Sequence, residues 1–192
     1  MLKRSLLTLA ISITATLPAF AHLDPTEHGS IAAGLSHPLF GLDHALAMVA
    51  VGLWAAMQGG RALWLVPAAF VGTMALGFIA AIAGIPLPFV EPVILASVIF
   101  IGIAVALALP VPASTVAAMV GFFAFFHGHA HGGELGGAAA WEFAIGFVMA
   151  TAGLHAASIG AGLALARFSG KVLTRLAGAA TSLGGLYLTI GG

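Results

Sequence analysis

Long apolar runs alternate with short breaks of glycine, proline and charge from residue 31 to the end of the chain. The runs cover about 31–57, 62–83, 92–109, 113–126, 141–166 and 172–190. A helix needs roughly 20 apolar residues to cross a hydrocarbon core about 30 Å thick. The breaks are Gln58-Gly59-Gly60-Arg61, Gly84-Ile85-Pro86-Leu87-Pro88, Pro110-Val111-Pro112, a Gly- and His-rich segment at 127–140, and Ser169-Gly170-Lys171. Proline lacks an amide proton and clashes with the preceding turn, and glycine is a poor helix former, so helices stop at such points. The pattern predicts an all-α membrane protein with about six transmembrane helices, in a single polytopic domain at 22–192. The third and fourth runs are short for a full crossing, which predicts tilt or a re-entrant piece. Small residues at helical spacing predict close helix packing at Gly72, Gly77 and Ala81, and at Gly153, Ala157 and Ala161.

The chain opens differently. Lys3 and Arg4 give a positive start, residues 5–17 a short apolar core, and Ala19-Phe20-Ala21 a small-x-small cleavage site. These are the parts of a signal peptide, residues 1–21. Cleavage after Ala21 leaves His22 as the first residue, with an amine and an imidazole that together form a chelate, and places that end outside the cytoplasm.

Composition agrees with a lipid solvent: 61% of residues are hydrophobic and 6% charged, against about 25% charged in soluble domains. A net charge of zero argues against a nucleic-acid partner. The absence of cysteine removes disulfides, thiolate metal sites and cysteine nucleophiles together. Beyond the leader, the basic residues Arg61, Arg167, Lys171 and Arg175 lie at the first and fifth breaks, which the positive-inside rule assigns to the cytoplasm. Six spans then put Asp24, Glu27, Asp43, Glu91, Glu134 and Glu142 at or toward the outer face. His22, His28, His37, His44, His127, His129 and His131 follow them, and His155 alone remains deep in a run. The expected location is a bacterial inner membrane, with the ligand-type residues on the periplasmic side.

Two clusters carry the chemistry. The first is His37-Pro38-Leu39-Phe40-Gly41-Leu42-Asp43-His44, within an apolar run. An aspartate there costs several kcal/mol and marks a functional site; imidazole with carboxylate suits nickel, cobalt or zinc. On a regular helix His37 and His44 lie about 10 Å apart along the axis, too far to share an ion, but Pro38 and Gly41 permit a local break of the kind from which transporters build ion sites. The second is His127-Gly128-His129-Ala130-His131-Gly132-Gly133-Glu134. If the fourth helix continues through it, His127, His131 and Glu134 share one face at i, i+4 and i+7, with His129 pointing elsewhere. Glu91 sits between Pro88 and Pro92 where a helix begins, so a favourable interaction with the helix dipole competes with a metal role. His155 reads as a hydrogen-bonded core histidine or as a relay in a cation pathway.

The two motifs, with the leader, resemble the HupE/UreJ family, small membrane proteins associated with nickel-iron hydrogenase and urease maturation and regarded as nickel, in some cases cobalt, permeases. The resemblance spans essentially the whole chain. It implies metal-handling roles for His37, Asp43, His44, Glu91, His131 and Glu134. It also implies a non-enzymatic protein with no permanently bound cofactor, whose cargo is Ni(II) or Co(II) and whose partners are hydrogenase or urease maturation proteins. His127 belongs to the metal set on geometry; His22, His129 and His155 are secondary contacts. Protonation of imidazoles weakens binding near and below about pH 6.5. No phosphate-binding Gly-Lys-Ser/Thr loop is present, which argues against an ATP-driven pump. Three rivals stand beside the permease: a haem-binding electron-transfer subunit using facing histidines, a metal-binding assembly protein without transport, and an intramembrane hydrolase. The last is the weakest, since the chain has no His-Glu-x-x-His and Ser158 lies in no nucleophile motif.

Overall fold

The structure, a computed structural model, describes residues 30–135 and 140–191. The leader expected at 1–21, with His22 and His28, lies outside them. The described residues form seven α-helices: α1 (Ile31–Phe40), α2 (Leu42–Gln58), α3 (Ala62–Ile82), α4 (Val90–Leu107), α5 (Ala113–Leu135), α6 (Ala140–Ser169) and α7 (Val172–Gly191). By length and composition four of them, α3 to α6, can cross a membrane, and the bent pair α1–α2 forms a fifth candidate span.

The first run, expected as one helix over 31–57, is therefore two. Ser30 starts α1 by accepting the Ala33 amide proton on its hydroxyl at 3.0 Å, the usual role of an N-cap serine. Gly41 leaves the helical region at φ −77°, ψ 111°, and the axis turns by 81° between α1 and α2. From there α2 runs through the middle of the bundle, packed on α3, α4, α6 and α7, and Met48, Ala50, Val51, Trp54 and Ala55 are fully or almost fully buried. The tightest helix pairings elsewhere are α3 with α5, α4 with α7 and α1 with α6. Large apolar side chains such as Leu76, Ile103, Phe122, Ile145 and Met149 face outward, as expected for a surface in contact with lipid chains.

The fourth run does not end at Phe126. Helix α5 continues to Leu135, because its glycines serve packing rather than turning. A Cβ on Gly128 would overlap the Met74 carbonyl of α3, and one on Gly132 would press on the Phe78 carbonyl at 2.5 Å. Gly77 of α3 is met in the same way by the Phe125 carbonyl. Two backbones in this contact gain dispersion energy that outweighs the poor helix propensity of glycine. The other small residues behave differently: Gly72 and Gly153 have nothing within 4 Å, and Ala157 and Ala161 are exposed, so that stripe of α6 faces out of the bundle. Opposite signs follow for one substitution. Gly128→Ala lowers the thermal unfolding midpoint in detergent by several degrees, since overpacking costs about 1–3 kcal/mol. Gly72→Ala leaves the midpoint unchanged or raises it, because alanine is the better helix former by roughly 0.5–1 kcal/mol.

The helices alternate in direction, so the start of α2, the ends of α3 and α5 and the starts of α4 and α6 share one end of the bundle. Arg61, Arg167, Lys171 and Arg175 lie at the opposite end, where Arg175 Nε donates to the Ala106 carbonyl near the end of α4 at 2.7 Å. Among the described residues, Asp43, Glu91 and Glu142 thus lie at the end opposite these basic side chains.

Candidate metal centre

The bend at Gly41 solves the spacing problem of the first motif. Pro38, buried within α1, has no amide proton to continue the helical ladder, and the extended Gly41 lets the chain restart at Leu42 in a new direction. His37 and His44 consequently come within 6.2 Å of each other, ring centre to ring centre. Asp43 falls in the first turn of α2, where the helix dipole favours a carboxylate.

Helix α5 supplies the other half. With the helix continuous, His127 and His131 stand one turn apart and both point inward, 0% and 3% exposed. The His131 ring lies 4.4 Å from His37 and 4.4 Å from His44, and His127 lies 4.9 Å from His44. Four imidazoles from three helices form one connected cluster, with Phe70 of α3 and Phe143 and Phe147 of α6 as walls. Desolvating so many polar rings among apolar side chains costs several kcal/mol.

The bonds within the cluster fix which nitrogens carry lone pairs. An ionised carboxylate only accepts, so His44 Nδ1–H donates to Asp43 Oδ1, 2.9 Å away. That leaves the lone pair of His44 on Nε2, which faces His131 Nε2 at 2.6 Å; the proton of this pair belongs to His131. Asp43 therefore sets the tautomer and ring orientation of His44, as carboxylates do for metal-bound histidines. Ser97 of α4 acts similarly. Its single hydroxyl proton goes to the Ile94 carbonyl at 2.6 Å, so its oxygen accepts from His127 Nε2 at 3.0 Å. The His127 lone pair then lies on Nδ1, which is buried without a hydrogen-bond partner among the described residues.

The remaining candidates lie apart from this core. Glu91 is exposed in the first turn of α4, and Glu142 is exposed in the first turn of α6. His129 points away, its Nε2 donating to the Ile85 carbonyl at 2.8 Å and fastening the α3–α4 connection to α5. Glu134 continues helix α5 one turn past His131; its side chain, like His22, lies outside the described residues. His155 is fully buried on α6, and neither of its ring nitrogens has a partner among the described residues, unlike the hydrogen-bonded core histidine that is one of its two expected readings. As placed, no three His, Asp or Glu side chains among the described residues converge into a shell around one ion; the rings meet edge to face or tilted, with His44 Nε2 and His131 Nε2 2.6 Å apart.

Ser97, Phe70, Phe143 and Phe147 were not legible as site residues. Their contacts span separate helices, and only the three-dimensional pairing of α3, α4 and α6 with the histidines exposes them.

Comparison with known proteins agrees with the motifs. A sequence profile described as HupE / UreJ protein matches residues 9–188. The chain is 45% identical to Protein HupE of Rhizobium leguminosarum bv. viciae over 194 residues, covering 99% of this chain and 100% of that protein. No solved structure matches. With a profile spanning nearly its full length and a relative of this identity end to end, the chain belongs to the HupE/UreJ family.

Proposed function

We propose that the chain is a permease for a divalent transition-metal cation, with nickel the principal cargo and cobalt the second, supplying metal for hydrogenase or urease maturation. One observation carries this reading: four imidazoles, one oriented by a carboxylate, gather at one end of an otherwise apolar bundle. Nitrogen donors backed by a carboxylate suit Ni(II) and Co(II), and intramembrane ionisable groups on the inside of a bundle mark ion pathways.

In this reading the leader is removed after Ala21, α7 provides the sixth span, and the basic end faces the cytoplasm. A hydrated cation meets Glu91, Glu134 and Glu142 at the outer end, where negative charge raises its local concentration. His44 Nε2 offers the first lone pair; the proton that His131 shares with it moves to His131 Nδ1, and the cation takes its place between the two Nε2 atoms. Tetrahedral ligands about 2.0–2.1 Å from a metal stand roughly 3.3–3.4 Å from each other, about 0.7 Å further than the 2.6 Å between these nitrogens, so a separation of α2 and α5 by under an ångström admits the ion. His37 and His127 join by ring rotation. A site that needs such adjustment holds its cargo weakly enough to release it, which suits passage better than storage. Haem suits the cluster poorly, since two axial histidines must lie on opposite sides of a porphyrin and these rings touch one another.

Radioactive nickel uptake by cells lacking their own nickel importers tests the reading. Cells carrying the chain are expected to accumulate nickel at least tenfold faster than cells without it, with cobalt competing better than zinc. Equal uptake by both, with the protein present in the membrane, would sink it.

A further inference from the structure

One imidazole lies beyond the cluster. His155 is on α6, two turns or about 12 Å further from the outer end than Phe147, which contacts His131. Its ring meets Phe70 edge to face at 4.9 Å, and the same Phe70 ring lies 5.7 Å from His127, the innermost histidine of the cluster on α5. A single aromatic side chain of α3 thus separates the clustered histidines from His155, and the line His131, His127, Phe70, His155 leads inward through the bundle.

The burial of His155 is unlike that of the polar groups around it. On the same face of α6, Thr151 donates to Met74 Sδ at 3.8 Å and Ser158 to the Leu154 carbonyl at 2.8 Å. Their hydroxyls are accommodated by neighbours or by their own helix. His155 is 0% exposed, and both ring nitrogens lack a partner among the described residues. Leucine or phenylalanine would fill this space without desolvating two polar atoms, so packing alone does not explain an imidazole here. A buried polar group left unsatisfied calls for a role or a ligand. One nitrogen of a neutral imidazole carries a lone pair whichever tautomer is present, and this one stands next in line behind a cation-binding cluster.

We propose that His155 is a second, inner cation site, a relay position that takes a divalent cation from the His127 side of Phe70 and passes it toward the basic end of the bundle. The site contributes one imidazole nitrogen, the cation keeping water in its other positions, and the Phe70 ring turns aside to let it through. This inference rests on the permease reading and adds an intermediate step to it.

The test uses purified full-length protein in lipid vesicles, with radioactive nickel influx measured beside equilibrium nickel binding in detergent. His155→Leu and His155→Gln keep the outer cluster intact. Both are expected to bind nickel at the outer cluster with affinity within about twofold of wild type while influx falls at least tenfold. Influx within twofold of wild type through His155→Leu would make His155 a packing residue and overturn the relay, leaving the permease standing. Absence of influx through wild type would overturn the permease, and the relay with it. Should neither variant fold, equilibrium dialysis of wild type decides: a second, weaker nickel equivalent is expected, and binding that stops at one equivalent overturns the inner site.

Discussion

His131→Ala is expected to abolish nickel influx, by at least a hundredfold, in protein that still reaches the membrane. His131 is the hub of the cluster: its ring touches His37 and His44 at 4.4 Å each, and its Nε2 faces the nitrogen that Asp43 prepares on His44. Removing it takes away a donor and leaves the His44 lone pair opposite empty space. Groups that act on one ion as a unit are non-additive. The double variant His44→Ala/His131→Ala is therefore expected to be no more impaired than either single one. Vesicle influx for the three variants, normalised to protein in the membrane, checks this; losses that multiply would place the two histidines at independent sites.

The second large effect belongs to Asp43. Its oxygen holds the His44 proton on Nδ1, and its negative charge stabilises a cation at the opposite nitrogen. An asparagine in its place keeps an acceptor oxygen and loses the charge, so Asp43→Asn weakens nickel binding by about 10- to 100-fold, the usual cost of disturbing an orienting partner. Asp43→Ala removes the acceptor as well, freeing the His44 ring to turn and its proton to move to Nε2; its loss is expected to be larger. Equilibrium dialysis of both variants measures the order. An unchanged dissociation constant in Asp43→Asn would leave the carboxylate a structural role only, that of starting α2.

Much of this organisation can be read from the chain, for identifiable reasons. The starts of α3, α5 and α7 fall where Gly59-Gly60, Pro110-Val111-Pro112 and Gly170 interrupt apolar runs, because proline and glycine act locally. The break near Gly41 was legible from the same chemistry, and its consequence, His37 beside His44, follows once the helix bends. The helical course of 127–135 was the harder inference. Glycine propensity argued for a break there, and tertiary contact with Met74 and Phe78 reversed it. The four-residue spacing of Gly128 and Gly132 is the sequence signal for such packing, and its weight was hidden by the histidines between them. Ser97 and Phe70 carry no local signature, since each acts on a histidine from another helix. The bond from His44 Nδ1 to Asp43, with Nε2 left for the cluster, needed the bend at Gly41 and the position of His131.

If a cation passes through this bundle by way of its histidine cluster, the protein alone must suffice. Purified protein in sealed vesicles, with nickel outside and a nickel-sensitive dye inside, tests this without any other cellular component. Saturable nickel influx that cobalt inhibits and that His131→Ala abolishes is the expected result. Vesicles that stay impermeable, although the reconstituted protein binds nickel through the same histidines, would contradict the claim and make the chain a membrane-held metal-binding protein.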